Sequence, residues 1–114
     1  MKTFLILFKT ESTPFSSKVR LAYINEWNDW IQKLRITGSF QSGSFFLKER
    51  ELVISGVGSE TKSYTPKSHK DILRGYMLFE AEDIKEAAEI VKQCPVFSRG
   101  GEVSVRELDS LQLQ

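Results

Sequence analysis

Cysteine, histidine and proline are scarce in this chain of 114 residues, which has one cysteine, one histidine and three prolines. Because Cys94 has no second cysteine with which to form an internal disulfide, the sequence indicates a reducing compartment, and we expect the cytoplasm. Neither charge dominates, since 16 basic residues stand against 15 acidic ones and no long run of either sign occurs. A dedicated nucleic-acid binder normally shows a clustered basic face, so no nucleic-acid partner is predicted.

Long hydrophobic runs are also missing. The first apolar run has five residues, 4–8, and ends at Lys9 without a small-residue cleavage site. It is too short for a membrane span and lacks the pattern of a signal peptide, so a first strand and no membrane partner are predicted. The chain has no Cys/His set with metal-ligand spacing, no phosphate-binding glycine loop and no nucleophile elbow. We therefore predict no metal and no cofactor.

Apolar periodicity predicts alternating strands and helices within one domain over residues 1–114. Residues 2–9 are apolar on both alternating faces, which is typical of a central strand. Apolar residues at spacings of three and four between Val19 and Leu34 predict a first helix over residues 18–36. The remaining predictions are a turn at 38–43, strands at 44–48 and 51–55, a polar loop at 56–70, and strands at 75–81 and 102–108.

The second helix has the clearest boundaries in the sequence. Asp83 is the predicted N-cap, and Glu86 three residues later completes a capping box. Pro95 cannot continue a helix, so the helix must end before it. Its predicted apolar stripe contains Ile84, Ala87, Ala88 and Val91.

The predicted order is strand, helix, two strands, strand, helix, strand. Two such halves predict a ferredoxin-like βαββαβ sandwich of the α+β class, with an antiparallel sheet and both helices on one face. The other face would still carry apolar side chains from residues 2–9 and 75–81, which a monomer would expose. We therefore expect a homodimer that forms through the sheet face.

Several short motifs occur in a characteristic order along nearly the whole chain. They lie at residues 2–7, 27–31, 52–56, 70–76, 80–81, 86–87, 94–95 and 105–107, with glycines at 38 and 43. Together they resemble the YCII-related domain family. The resemblance implies a ferredoxin-like fold of the dimeric α/β-barrel type.

Two departures from the family pattern bear on function. Many relatives carry an Asp-Gly-Pro-Phe segment where this chain has Ser-Tyr-Thr-Pro at residues 63–66. Some relatives are proposed to use a His-Asp pair with the histidine near the first helix, whereas the single histidine here is His69. The resemblance therefore implies the fold and the dimer, and the departures favour a non-catalytic role.

His69 and Asp71 are the candidate catalytic residues, two positions apart and just before a buried strand. In this hypothesis His69 transfers a proton near neutral pH and the Asp71 carboxylate orients it. The alternative is a solvated loop, because a lone histidine is a weak signal.

Candidate ligand-binding residues come from three parts of the chain. Ser63, Tyr64 and Arg74 flank the polar loop and would hydrogen-bond an anionic ligand. Arg106, on the polar side of the last strand, would do the same with its planar guanidinium. Trp30, near Tyr23 and Trp27, would reach the edge of an aromatic pocket or belong to the core. For each of them an ordinary structural or surface role is the alternative, and Cys94 is expected to be a buried structural thiol.

Two functions follow from these features. The first is a small-molecule-binding or accessory module whose pocket lies between the first helix, the sheet and the 56–70 loop. The alternative is a cofactor-independent lyase or isomerase that uses a His-Asp proton shuttle. A role as a partner of another protein would leave no distinctive trace in these residues.

Overall fold

The computed structural model describes residues 1–10, 17–44, 51–64 and 72–109. A short 3-10 helix, Pro95–Arg99, follows the second α-helix. The other elements, in chain order, are β1 (Lys2–Thr10), α1 (Ser17–Ile36), β2 (Phe40–Ser44), β3 (Glu51–Ser55), β4 (Glu60–Tyr64), β5 (Ile72–Ala81), α2 (Ile84–Val91) and β6 (Glu102–Glu107).

β1 is a central strand of a four-stranded antiparallel sheet with the order β2-β5-β1-β6. It pairs with β5 from Lys2 to Thr10 and with β6 from Phe4 to Lys9. α1 joins β1 to β2, and α2 and the 3-10 helix join β5 to β6, so each connection passes over one intervening strand. This is the predicted ferredoxin-like α+β arrangement, and the prediction of a central first strand is confirmed.

One face of the sheet forms the core against both helices. Phe4, Ile6 and Phe8 are almost completely buried there, because strand residues two apart point to the same side. Met77 and Phe79 of β5 pair with this row and are equally buried. The helices complete the cluster with Tyr23, Trp27, Trp30, Ile31, Leu34, Ala87 and Val91.

α2 begins at the predicted cap. The backbone N–H of Glu86 donates to Oδ1 of Asp83 at 2.8 Å, and Oε1 of Glu86 accepts from the backbone N–H of Glu82 at 3.4 Å. The return bond of the capping box therefore reaches one residue before the N-cap. Ile84, the first residue of the helix, is predicted to lie on the buried stripe but is exposed, whereas Ala87 and Val91 are buried.

The segment between β2 and β5 differs from the prediction. β2 begins at Phe40, inside the predicted turn, because it pairs with β5 across a bulge between Phe40 and Ser42. Residues 60–64, predicted as loop, form β4 and pair with β3 in a separate two-stranded sheet. The turn at 56–59 permits this pairing, since Gly56 adopts a φ of 79° and its carbonyl accepts from the backbone N–H of Ser59. The 45–48 part of the predicted strand lies outside the described residues.

Candidate functional site

The second face of the sheet is the candidate functional site. It lies opposite the core, and we call it the open face. Directly opposed residues of antiparallel strands share a face, so the register places its side chains in two rows. One row is Ser44, Tyr76, Leu7 and Ser104, and the next is Ser42, Leu78, Leu5 and Arg106.

The centre of the open face is apolar and its edges are polar. Leu5, Leu7 and Leu78 are partly exposed, and Tyr76 is 40% exposed. The serines of β2 lie at one edge, and Ser104 and Arg106 of β6 lie at the other. An apolar centre with a polar rim is the usual anatomy of a surface that is buried on association.

Arg106 is a cationic group at the β6 edge of this face. It pairs in register with Leu5 and is exposed. The neighbouring Glu107 is engaged by Lys2, whose Nζ lies 3.4 Å from Oε1 of that carboxylate. Among the described residues no carboxylate forms an ion pair with Arg106, so its planar donor group is available to an anion.

A carboxylate of the open face lies on β5, next to the edge strand β2. Oε1 of Glu80 accepts a hydrogen bond of 2.6 Å from Nε2 of Gln41. The backbone N–H of Glu80 donates to the Ser39 carbonyl at 2.8 Å. Glu80 pairs with Thr3 of β1, one row beyond Leu78. The open face therefore carries Arg106 at its β6 edge and Glu80 beside β2, with apolar surface between these two groups.

The candidate ligand-binding residues do not come together in the described structure. Ser63 is exposed on β4, and Tyr64 is the last residue of that strand. Arg74 lies at a β-bulge, because the register with β1 passes from Phe8↔Gly75 directly to Lys9↔Leu73. Arg106 is on the open face. His69 and Asp71 lie outside the described residues.

Trp30 lies on the other side of the sheet from Arg106. It is 5% exposed and stacks edge-on against Phe8 and Trp27, with ring centroids 6.4 Å and 5.7 Å away. Tyr23 packs against Trp27 in the same way at 6.1 Å, and its burial raises the pKa of its hydroxyl. These rings fill the space between α1 and the sheet, so Trp30 is positioned as a core residue.

The Cys94 thiol is buried, and burial raises its pKa to about 12. A thiol in this environment stays protonated at neutral pH and is a poor nucleophile, which agrees with the expected structural role.

Tyr76 and Ser44 were missing from the sequence-based candidates. The alternation of residues 75–81 could have indicated Tyr76. Met77 and Phe79 are apolar and lie on the buried face, so Tyr76, one position away, must lie on the opposite face. Ser44 had no signal of its own. Its place opposite Tyr76 depends on the pairing of β2 with β5, which the local sequence does not specify.

Two features are absent from the part of the chain that the structure describes. No three His, Cys, Asp or Glu side chains are grouped in a way that could hold a metal ion. No helix there is long and apolar enough to cross a membrane.

Comparison with known proteins identifies a family. The family model described as "YCII-related domain" matches residues 3–109. Among solved structures, the chain is similar to 5-chloro-2-hydroxyhydroquinone dehydrochlorinase (TftG) from Burkholderia phenoliruptrix AC1100, solved in complex with 2,5-dihydroxybenzoquinone. The identity is 21%, the TM-score is 0.49, and the match covers 90% of each chain. A search of curated proteins found no match to this chain.

Proposed function

Because the chain belongs to the YCII-related domain family, we propose that it is a homodimeric module that binds a small molecule carrying an anionic oxygen. The open face provides both the dimer contact and the binding site. The observation that carries this proposal is the Arg106 guanidinium, which lies beside Leu5 and Leu7 with no ion-pair partner among the described residues. We also propose a cytoplasmic location, which the single buried cysteine supports.

The apolar centre of the open face supports the dimer. Leu5, Leu7, Leu78 and Tyr76 form one continuous patch across β1 and β5. Two sheets that pack face to face lie about 10 Å apart, so the side chains of two copies would interdigitate at this patch. Burial of the patch removes apolar surface from water, which is the main favourable contribution to such an association.

The rim of that contact supports the binding site. Arg106 and Ser104 are two residues apart at the β6 edge, where a second copy would exclude part of the solvent. A guanidinium binds a carboxylate or phenolate oxygen more strongly when water is partly excluded. The neighbouring leucines offer an apolar surface to the rest of the ligand, so a small aromatic acid fits this combination.

A pair of isosteric probes tests the site. We expect 4-hydroxybenzoate to bind to the wild-type protein in calorimetric titrations and 4-hydroxybenzamide, its neutral counterpart, to bind at least about 10-fold more weakly. The variant Arg106→Gln should lose that preference. Arg20→Gln is the matched control, because Arg20 is an exposed arginine on α1, away from the open face. Equal binding of both probes, or an unchanged preference in Arg106→Gln, would rule out this site.

One observation favours the lyase or isomerase as a second candidate. The β-bulge at Arg74 follows closely after His69 and Asp71, and bulges are frequent beside active sites, where they redirect a side chain. Because the chain has a single histidine, the imidazole signals of His69 can be followed by NMR without ambiguity. A pKa at the model-peptide value that 4-hydroxybenzoate does not change would remove His69 as the acid–base group.

A further inference from the structure

The hairpin formed by β3, β4 and the turn at 56–59 projects from the rest of the molecule. We call residues 51–64 the arm. Its strands pair with each other and, within the described residues, with no strand of the main sheet, and every residue of β3 is exposed. The Cα radius of gyration is 15.8 Å, whereas a compact domain of this length has about 13 Å. The arm therefore extends the molecule beyond its core.

The two faces of the arm differ in chemistry. One face carries Leu52, Ile54, Thr61 and Ser63, which have no charge. The opposite face carries Glu51, Val53, Glu60 and Lys62. Leu52 and Ile54 are 64% and 65% exposed, so the uncharged face lies open to water in one copy of the chain. This alternation is the pattern of a strand pair that has one covered and one solvated face.

The arm also needs support for its own stability. A two-stranded hairpin is marginally stable in water unless a third strand or another element packs against it. None of the described elements packs extensively on the uncharged face, since its two large apolar residues remain mostly exposed. A second molecule that covers this face would supply the missing apolar burial.

The area available for association points to a second copy of this chain. The open face is four strands wide and its outer strand β6 has six residues. With strands about 4.8 Å apart and a rise of about 3.4 Å per residue, the open face measures roughly 400 Å². A stable interface buries about 800 Å² on each partner. In a two-fold dimer each copy would bury the uncharged face of its own arm and the surface that the partner's arm covers. Together these two areas add roughly 300 Å² per partner.

We propose that the uncharged face of the arm packs on the second copy and forms the remaining part of the dimer interface. This inference rests on the homodimer of the proposed function. The arm lies in the chain between β2 and β5, which are neighbouring strands of the main sheet. Its leucine, isoleucine and hydroxyl side chains match the leucines and serines of the open face, and no charge on this side of the arm would have to be buried.

Sedimentation equilibrium of charge-insertion variants tests the arm. We expect Leu52→Lys/Ile54→Lys to raise the dimer dissociation constant by at least about 30-fold, because each dimer loses two copies of the buried pair. The control Val53→Lys places a single lysine on the opposite face of the same strand and should change the constant by less than about 3-fold. All three positions are exposed in one copy, so circular dichroism should show the same fold in each variant.

Hydrogen exchange gives a second measurement that needs no variant. Backbone amides of residues 51–55 should become more protected as the concentration of wild-type protein increases, because the arm is covered only in the dimer. Protection that does not change with concentration, in a protein that does dimerise, would contradict the proposal.

Leu78→Lys, at the centre of the open face, separates this inference from the proposed sheet contact. If it dissociates the dimer while the arm variants behave like wild type, the arm proposal is overturned and the sheet contact stands. If the arm pair dissociates the dimer and Leu78→Lys does not, the arm is supported and the sheet contact is overturned. A wild-type protein that is monomeric at about 100 µM overturns both contacts. The titration with 4-hydroxybenzoate and 4-hydroxybenzamide then tests ligand binding independently of the dimer.

Discussion

At the scale of single residues, burial determines the chemistry of Cys94. The thiol lies between α2 and the 3-10 helix, where desolvation raises its pKa to about 12 and a backbone hydrogen bond with Val96 opposes the rise. Its ordinary value is 9.0. The thiol of the unfolded chain therefore ionises first as the pH rises, which favours unfolding.

This difference predicts how stability depends on pH. The contribution of Cys94 is fully present below about pH 9 and is lost as the pH rises from about 9 to about 12. We expect the free energy of unfolding of the wild type to fall relative to Cys94→Ala by up to about 1.4 kcal/mol per pH unit in that window. Urea unfolding of both proteins at several pH values measures the difference. Parallel pH profiles above pH 9 would contradict it.

At the scale of elements, Gly101 sets how closely β6 approaches the rest of the sheet. A Cβ at this position would collide with the Val96 side chain and stand 2.9 Å from the carbonyl oxygens of Lys9 and Val96. Its backbone N–H donates to the Val96 carbonyl at 3.0 Å, which joins the 3-10 helix to the start of β6. Only glycine permits this approach between the two elements.

We therefore expect Gly101→Ala to lower the free energy of unfolding by about 1–3 kcal/mol, through overpacking at this junction. Gly58→Ala is the matched control, because a Cβ there meets nothing within 4 Å and Gly58 is not among the positive-φ residues. That variant should stay within about 1 kcal/mol of the wild type or be slightly more stable. Denaturant unfolding measures both, and equal stability of the two variants would show that the junction can relax.

At the scale of the whole molecule, the two faces of β1 have different roles. Phe4 is completely buried beneath the helices, whereas its neighbour Leu5 lies on the open face and pairs with Leu78. Phe4 makes its contacts within its own chain. In the proposed dimer the contacts of Leu5 belong partly to the second copy, so their contribution must depend on protein concentration.

The variants Phe4→Ala and Leu5→Ala separate these roles. Phe4→Ala should lower stability by about 3–5 kcal/mol, and the stability difference from wild type should be the same at every protein concentration. The difference between Leu5→Ala and wild type should grow with protein concentration, because only a dimeric wild type gains from the intermolecular contact. Thermal unfolding over a range of dilutions provides the measurement. A Leu5→Ala difference that is constant across that range would speak against the proposed dimer.

The candidate site could be predicted only in part. Arg106 was a candidate from the alternation of 102–108, because alternation alone assigns it to the polar side of the last strand. The sequence allows both a core and a pocket position for Trp30, because a helical stripe does not reveal how completely a sheet covers it. In the structure Trp30 packs against the rings of Phe8 and Trp27 and belongs to the core. The relation between Arg106, Tyr76 and Ser44 depends on the register of three strands, which no local pattern specifies.

The sequence by itself determined the family, the ferredoxin-like order of elements, the centrality of β1 and the cap of α2. These depend on periodicity and on residues close together in the chain, such as Asp83 and Glu86. Only the tertiary structure decided that residues 60–64 form a strand and that the arm has one uncharged face. A polar segment such as Thr61 to Ser63 becomes a strand because a partner strand satisfies its backbone, and that partner is not visible in the segment itself.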